Sequence, residues 1–278
     1  MNYTPHMPLG SASKRPLILY FILTFVISWG IALPGLLPAD LAAAPAAINP
    51  RIWFVIASYV PSAAGLSMTF VLEGQTGLKR LVARLIPWRA GLHWYLIVLG
   101  GYPAIGFLAC RIAAWFGAPS RSISDWPHFY AGVLPALLID PGPLGEEFGW
   151  RGFALPRMLD RRSPGASALL LGVLWAVWHL PPFLVPIAPQ RPYSFLVFAA
   201  GTIALSCFHT WMYLRTGNLF LMLLLHLMSN YAFTQIEVAY EYFMPLELLC
   251  AAIIFLAGGL KFDRGKEKQT TQRVRAVV

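Results

Sequence analysis

The sequence predicts an all-α fold, a polytopic membrane helix bundle of about eight transmembrane helices with a cavity at mid-membrane. Three observations predict it. The 278 residues are 58% hydrophobic and only 12% charged, with a mean hydropathy of +0.61, far from the charge content of a water-soluble domain. Apolar runs long enough to cross a ~30 Å hydrocarbon layer recur along nearly the whole chain. Basic residues fall in short clusters between those runs, and only a few ionisable side chains sit inside them.

The runs fall at 17–37, 52–73, 92–116, 128–158, 164–187, 193–214, 217–236 and 242–260. The first follows Lys14 and Arg15 and precedes three alanines at 42–44, an arrangement that imitates a cleavable leader. It is too long for a leader's apolar region and reads as a membrane helix. Between the second and third runs, Lys79, Arg80, Arg84 and Arg89 alternate with Leu78, Leu81, Leu85, Ile86 and Trp88, the pattern of an amphipathic segment on the membrane surface. With both termini cytoplasmic, inside segments hold 16 Lys and Arg residues and outside loops only Arg51, Arg121 and Arg191. That bias is the positive-inside pattern of an integral multi-pass protein, with a bacterial cytoplasmic membrane as the expected location. It accounts for the net charge of +9 without a nucleic-acid partner. Residues 1–15 read as an N-terminal tail, 16–262 as the membrane-embedded domain with its chemistry within 125–235, and 263–278 as a basic tail. Cys110, Cys207 and Cys250 are scattered singly and read as free thiols.

Ionisable groups inside membrane helices cost at least ~2.5 kcal/mol near the bilayer centre and are there for function or for each other. Glu147 and Arg151 stand four apart on the fourth run, in the favourable order for an ion pair. Glu146 turns about 100° away from its neighbour and is left without a cation. Glycines at 142, 145, 149 and 152 line that helix and admit the close approach of another helix or an extended peptide. Counted from the expected cytoplasmic ends at about 1.5 Å per residue, Glu146, His179, His226 and Asn230 come to similar depths, about 15 to 22 Å. His226 and Asn230 share one helix face, and Pro181 and Pro182 free carbonyls beside His179. His209 lies closer to the edge and reads as a hydrogen-bonded core histidine.

Two chemistries remain open for this set. Glu146, His179 and His226 offer three ligands for a divalent metal, zinc first, leaving a fourth position for water. Alternatively Glu146 is a general base without metal, and His226 with Asn230 donates to a developing oxyanion.

Glu146-Glu147-Phe148-Gly149-Trp150-Arg151 matches EExxxR, Trp175 to His179 resembles FxxxH, and His226 to Asn230 matches HxxxN, in order on successive runs. The chain thus resembles the CPBP family of intramembrane proteases, the type II CAAX prenyl endopeptidases and their bacterial relatives, which include bacteriocin-immunity proteins. The resemblance implies an intramembrane endopeptidase in which Glu146 activates water, His179 assists, and His226 and Asn230 stabilise the oxyanion or bind metal. Glu147, Arg151 and Trp175 would support the site, Trp175 standing where the pattern usually has Phe. The implied partners are a hydrophobic or lipid-modified peptide or protein and the membrane lipids. The competing expectation is a non-catalytic immunity or scaffold protein of the same fold. A proton-coupled transporter using the same residues finds no paired repeats in its favour.

Overall fold

The computed structural model describes residues 14–32, 50–85, 90–184 and 194–260. Among them the regular elements are all helical, apart from a two-residue antiparallel bridge between Arg121 and Glu237. In order they are α1 (Arg15–Ala32), α2 (Pro50–Ser58), α3 (Val60–Ala83), α4 (Leu92–Trp115), α5 (Trp126–Ile139) and α6 (Pro141–Glu147). A π-helical segment (Phe148–Ala154) follows, then α7 (Leu155–Leu159), α8 (Pro164–Trp178), α9 (Leu180–Leu184), α10 (Phe195–Thr216), α11 (Leu219–Gln235) and α12 (Tyr240–Leu256). Helix occupies each of the eight predicted runs. Four helices, α1, α2–α3 together, α4 and α10, are long and apolar enough to cross a bilayer, and α5, α8 and α11 are apolar but shorter. Large apolar side chains point outward, among them Val71, Leu138, Leu196 and Leu256, a surface suited to lipid. The tails and the ends of the runs at 33–37 and 185–187 lie outside the described residues.

Local sequence sets the helix boundaries. Side chains of Asp125, Ser163 and Asn218 accept backbone N–H groups at the starts of α5, α8 and α11, satisfying donors that a first turn leaves open. The predicted run 128–158 is not one helix. Asp140 precedes Pro141, which disfavours helical backbone, and takes an extended conformation with φ −69° and ψ 115°. The chain restarts as α6 and then widens into the π-helical segment, an irregularity common at functional sites.

The expected surface segment also differs. Helix α3 continues to Ala83 past a non-helical Gly74 (φ 63°, ψ −161°). Leu81 is buried against Gly152, and Arg84 donates to the carbonyls of Gly217 and Gly152. This part of the segment is docked on protein because Arg84 reaches one carbonyl at the junction of α10 and α11 and another within the π-helical segment; residues 86–89 lie outside the described residues.

Helix α10 packs along α8 and α12, α3 lies against α6 and the π-helical segment, and α11 lies against α4, α5 and α6. The glycine stripe makes the α3 contact a backbone-to-backbone one. A Cβ on Gly65 would stand 2.7 Å from the Cα of Gly149, and one on Gly149 would run into the carbonyl of Pro61. Close approach of a second helix is what this stripe admits. Cys110, Cys207 and Cys250 are free thiols.

Candidate active site

The adjacent acids of α6 are both buried, and each has its own partners. Glu147 Oε1 accepts from Arg151 Nη1 and meets His226 Nδ1, each at 2.8 Å. The Arg151 guanidinium lies 4.1 Å above the centre of the Trp175 ring, a cation–π contact that returns part of the cost of burying it. Among the described residues no Lys or Arg pairs with Glu146. Its Oε2 accepts the indole N–H of Trp150 at 3.0 Å and that of Trp175, while Oε1 has no hydrogen bond within the described residues. Successive helical positions thus send one carboxylate into an ion-pair network and the other into a wall of indoles.

Helix α11 supplies the facing side. His226 and Asn230, one turn apart, both look onto Gly142, where the position of an absent Cβ lies 3.0 Å from His226 Nε2 and 3.0 Å from Asn230 Nδ2. Asn230 Nδ2 donates to Asp140 Oδ2 at 3.0 Å, and Asp140 Oδ1 accepts Gly142 N at 2.9 Å. His226 Nδ1 is held by Glu147, so the ring's other nitrogen is the one turned to this space.

His179 ends α8 as the two prolines predict. Its ring Nδ1 bonds the carbonyl of Trp175 at 2.9 Å, and the carbonyl of Trp178 is taken by Trp29 Nε1 at 3.0 Å. Carbonyls freed at the break are therefore satisfied from within the protein. A carbonyl can only accept, so Nδ1 carries a proton, and in the neutral ring Nε2 keeps its lone pair.

Trp175 joins these groups. Its ring centre lies 6.0 Å from that of His179, 5.9 Å from His209 and 5.2 Å from His226. His209 is fully buried, with Nδ1 2.9 Å from the Leu205 carbonyl and Nε2 3.2 Å from that of Met222. It is the hydrogen-bonded core histidine expected, but it does not lie apart from the site: it stands 3.9 Å from Glu147 Oε2 and its ring centre 6.2 Å from that of His226. Glu146, Glu147, Arg151, Trp175, His179, His226 and Asn230 thus share one interior region. Sequence reasoning passed over Trp150 and Asp140. The i, i+4 spacing of Trp150 from Glu146 was a usable signal, whereas nothing local marks Asp140. It also passed over Glu247, buried on α12 and bonded to Tyr240 Oη at 3.0 Å.

Among the described residues no three His, Cys, Asp or Glu side chains converge as a group able to hold a metal ion. Hydrogen bonds take His226 Nδ1, His179 Nδ1 and Glu146 Oε2, and so leave His226 Nε2, His179 Nε2 and Glu146 Oε1 as the atoms that a metal or a water molecule would meet. The arrangement places a carboxylate base and an imidazole around Trp175, and two nitrogens, His226 Nε2 and Asn230 Nδ2, that converge over Gly142.

Residues 126–232 match the family model described as type II CAAX prenyl endopeptidase Rce1-like. The core of the chain is similar to the Rce1-like endopeptidases. That segment runs from the start of α5 into α11 and contains every residue of the site described above. A protein named CAAX prenyl protease 2 from Methanococcus maripaludis is 29% identical over 141 residues, an alignment covering 46% of this chain and 51% of that protein. The chain therefore spans about half the length of the curated relative it matches. Helices α1 and α3, which lie outside the Rce1-like segment, also reach the site's surroundings, through Trp29 on Trp178 and through Gly65 on Gly149.

Proposed function

We propose that the chain is a CAAX-type intramembrane endopeptidase that hydrolyses a peptide bond in a hydrophobic or lipid-modified substrate, with Glu146 as the base. The observation that carries this reading is the contrast between the two adjacent acids: Glu147 is bound by Arg151 and His226, whereas Glu146 has only indole donors on one oxygen. In a membrane interior, a carboxylate without a cation is costly and is kept for work.

Glu146 Oε1 takes a proton from a water molecule as the water oxygen bonds to the scissile carbonyl carbon. The carbonyl oxygen, gaining negative charge, lies over Gly142, where Asn230 Nδ2 and the doubly protonated His226 ring through Nε2 donate to it. Glu147 is the counter-charge for that ring. As the carbon–nitrogen bond breaks, Glu146 returns its proton to the leaving nitrogen, releasing an amine and a carboxylic acid, which then gives up its own proton to solvent. His179, with its Nε2 lone pair free, orients the attacking water. No step in this scheme passes through a metal. The membrane lipids are the solvent for the substrate's apolar part, and the bias of basic residues supports a cytoplasmic position for both termini.

The test is turnover of a farnesylated-cysteine peptide and its unmodified counterpart by protein in proteoliposomes, followed by mass spectrometry, with Glu146→Ala alongside. Cleavage by the wild type that falls at least about 10³-fold in the variant is expected. Equal turnover by both, or none by the wild type on either peptide, rejects the assignment and leaves the non-catalytic immunity or scaffold reading.

A further inference from the structure

We infer that Asp140 is a positioning residue for the proposed hydrolysis, fixing the Asn230 amide with its nitrogen rather than its oxygen beside His226 Nε2 over Gly142. The inference rests on the endopeptidase reading and adds a residue that lies outside the three motifs.

An asparagine side chain has two nearly isosteric ends of opposite character, a donor nitrogen and an acceptor oxygen. Only the nitrogen end stabilises a developing oxyanion; the oxygen end repels it. A half-turn of the amide would therefore convert the space over Gly142 from helpful to harmful with almost no change of shape. Something must choose the orientation. His226 Nε2 does not, because in the doubly protonated ring it donates, and a donor beside the amide favours the oxygen end. An ionised carboxylate does, because it only accepts. Asp140 Oδ2 lies 3.0 Å from Asn230 Nδ2, so the amide nitrogen must face it. The same nitrogen stands 3.0 Å from the vacant Cβ position of Gly142, as does His226 Nε2, and Asp140 Oδ1, which accepts Gly142 N, lies 3.2 Å from it. One N–H of the amide goes to Asp140 and the second remains for the space.

Asp140 is itself held in place. Its backbone N–H donates to the Ala136 carbonyl at 2.8 Å, and its Oδ1 accepts Gly142 N at 2.9 Å, so both carboxylate oxygens have fixed tasks. Pro141 forces the extended backbone that aims this side chain away from α5 and towards α11. The break in the predicted fourth helix thus puts an acceptor opposite Asn230, 90 residues along the chain. Glycine at 142 matters for the same reason. Any side chain there would occupy the space between the two nitrogens.

The carboxylate's two tasks, the turn and the amide, are separable by substitution. Asp140→Ser keeps an oxygen able to accept Gly142 N, since serine is a good helix N-cap, but is too short to hold Asn230. Asp140→Asn also keeps an acceptor for Gly142 N and offers Asn230 a donor, which rewards the wrong orientation of the amide. Both variants should retain the melting temperature of the wild type in detergent and its KM, with kcat falling about 10²-fold, the scale of losing one oxyanion donor. In an Asn230→Ala background, neither change should reduce kcat further, because the group being positioned is gone. Melting temperatures that fall together with kcat, or losses that simply multiply with Asn230→Ala, would show Asp140 to be structural and overturn the inference. So would wild-type kcat in both single variants. An inactive wild type on the same peptides fails the endopeptidase reading instead, so the two failures are told apart.

Discussion

Trp175 donates its indole N–H to Glu146, 29 residues earlier in the chain, onto the same carboxylate oxygen that Trp150 reaches. The FxxxH pattern has no such donor, since phenylalanine supplies a ring face and nothing more. Two donors on Oε2 leave Oε1 as the oxygen that meets water, and they fix the carboxylate plane. Trp175→Phe keeps the aromatic wall that Arg151 and three histidine rings rest against but removes one donor. A hydrogen bond to a charged group is worth about 1.5–3 kcal/mol, so kcat should fall about 10- to 100-fold with the melting temperature nearly kept. Steady-state kinetics on the variant checks this, and an unchanged kcat would show that Trp150 alone suffices.

Arg151 is fully buried and bonded to Glu147, which also holds His226. Removing one member of a buried pair strands the other charge and costs about 3–5 kcal/mol. Arg151→Met should therefore lower the unfolding temperature sharply. Adding Glu147→Gln removes the stranded charge and should recover much of that loss, while activity stays low because His226 still lacks its counter-charge. Thermal unfolding in detergent, followed for the single and double variants, separates the two effects.

Much of this site can be read from sequence because helical spacing is a local rule. Glu147 with Arg151, and His226 with Asn230, are i, i+4 pairs, and the structure keeps each pair on one face. The separation of Glu146 from Arg151 follows from the same rule. What the rule cannot supply is contact between distant segments. Asp140 finds Asn230 only after α5 has broken and α11 has packed beside α6. Glu247 meets Tyr240 within a run that reads as uniformly apolar. The π-helical segment is invisible to a reading that assumes 3.6 residues per turn throughout. The docking of Arg84 on Gly217 and Gly152 overrides an amphipathic pattern that, taken alone, describes a surface helix.

The backbone contact between α3 and the π-helical segment makes Gly149 intolerant of even one methyl group. Gly149→Ala would drive a Cβ into the carbonyl of Pro61 and the hydroxyl of Tyr20, and a backbone carbonyl cannot swing aside. Overpacking of this kind costs about 1–3 kcal/mol. At Gly100 in α4, an added methyl group would meet nothing within 4 Å, so Gly100→Ala should be neutral or stabilise by up to about 1 kcal/mol through helix propensity. Opposite shifts of melting temperature in the two variants are expected.

The arrangement of nitrogens also predicts the response to metal removal. A three-ligand site needs its donor atoms turned to a common point. Glu147 and the Trp175 carbonyl hold the Nδ1 atoms of His226 and His179, as the far nitrogens of metal ligands are also held, but among the described residues no three His, Cys, Asp or Glu side chains converge as a group able to hold an ion. Binding an ion between Glu146, His179 and His226 would need those side chains to draw together around Trp175, whose ring lies against Arg151 and near the rings of His179, His209 and His226. The expected outcome is that purified protein carries no stoichiometric zinc and keeps its turnover after dialysis against a strong chelator. Elemental analysis of the wild type, His179→Ala and His226→Ala checks it directly. One zinc per chain in the wild type, lost in both variants together with chelator-sensitive turnover, would replace the carboxylate mechanism with a metal-dependent one while leaving the fold and the endopeptidase reading in place.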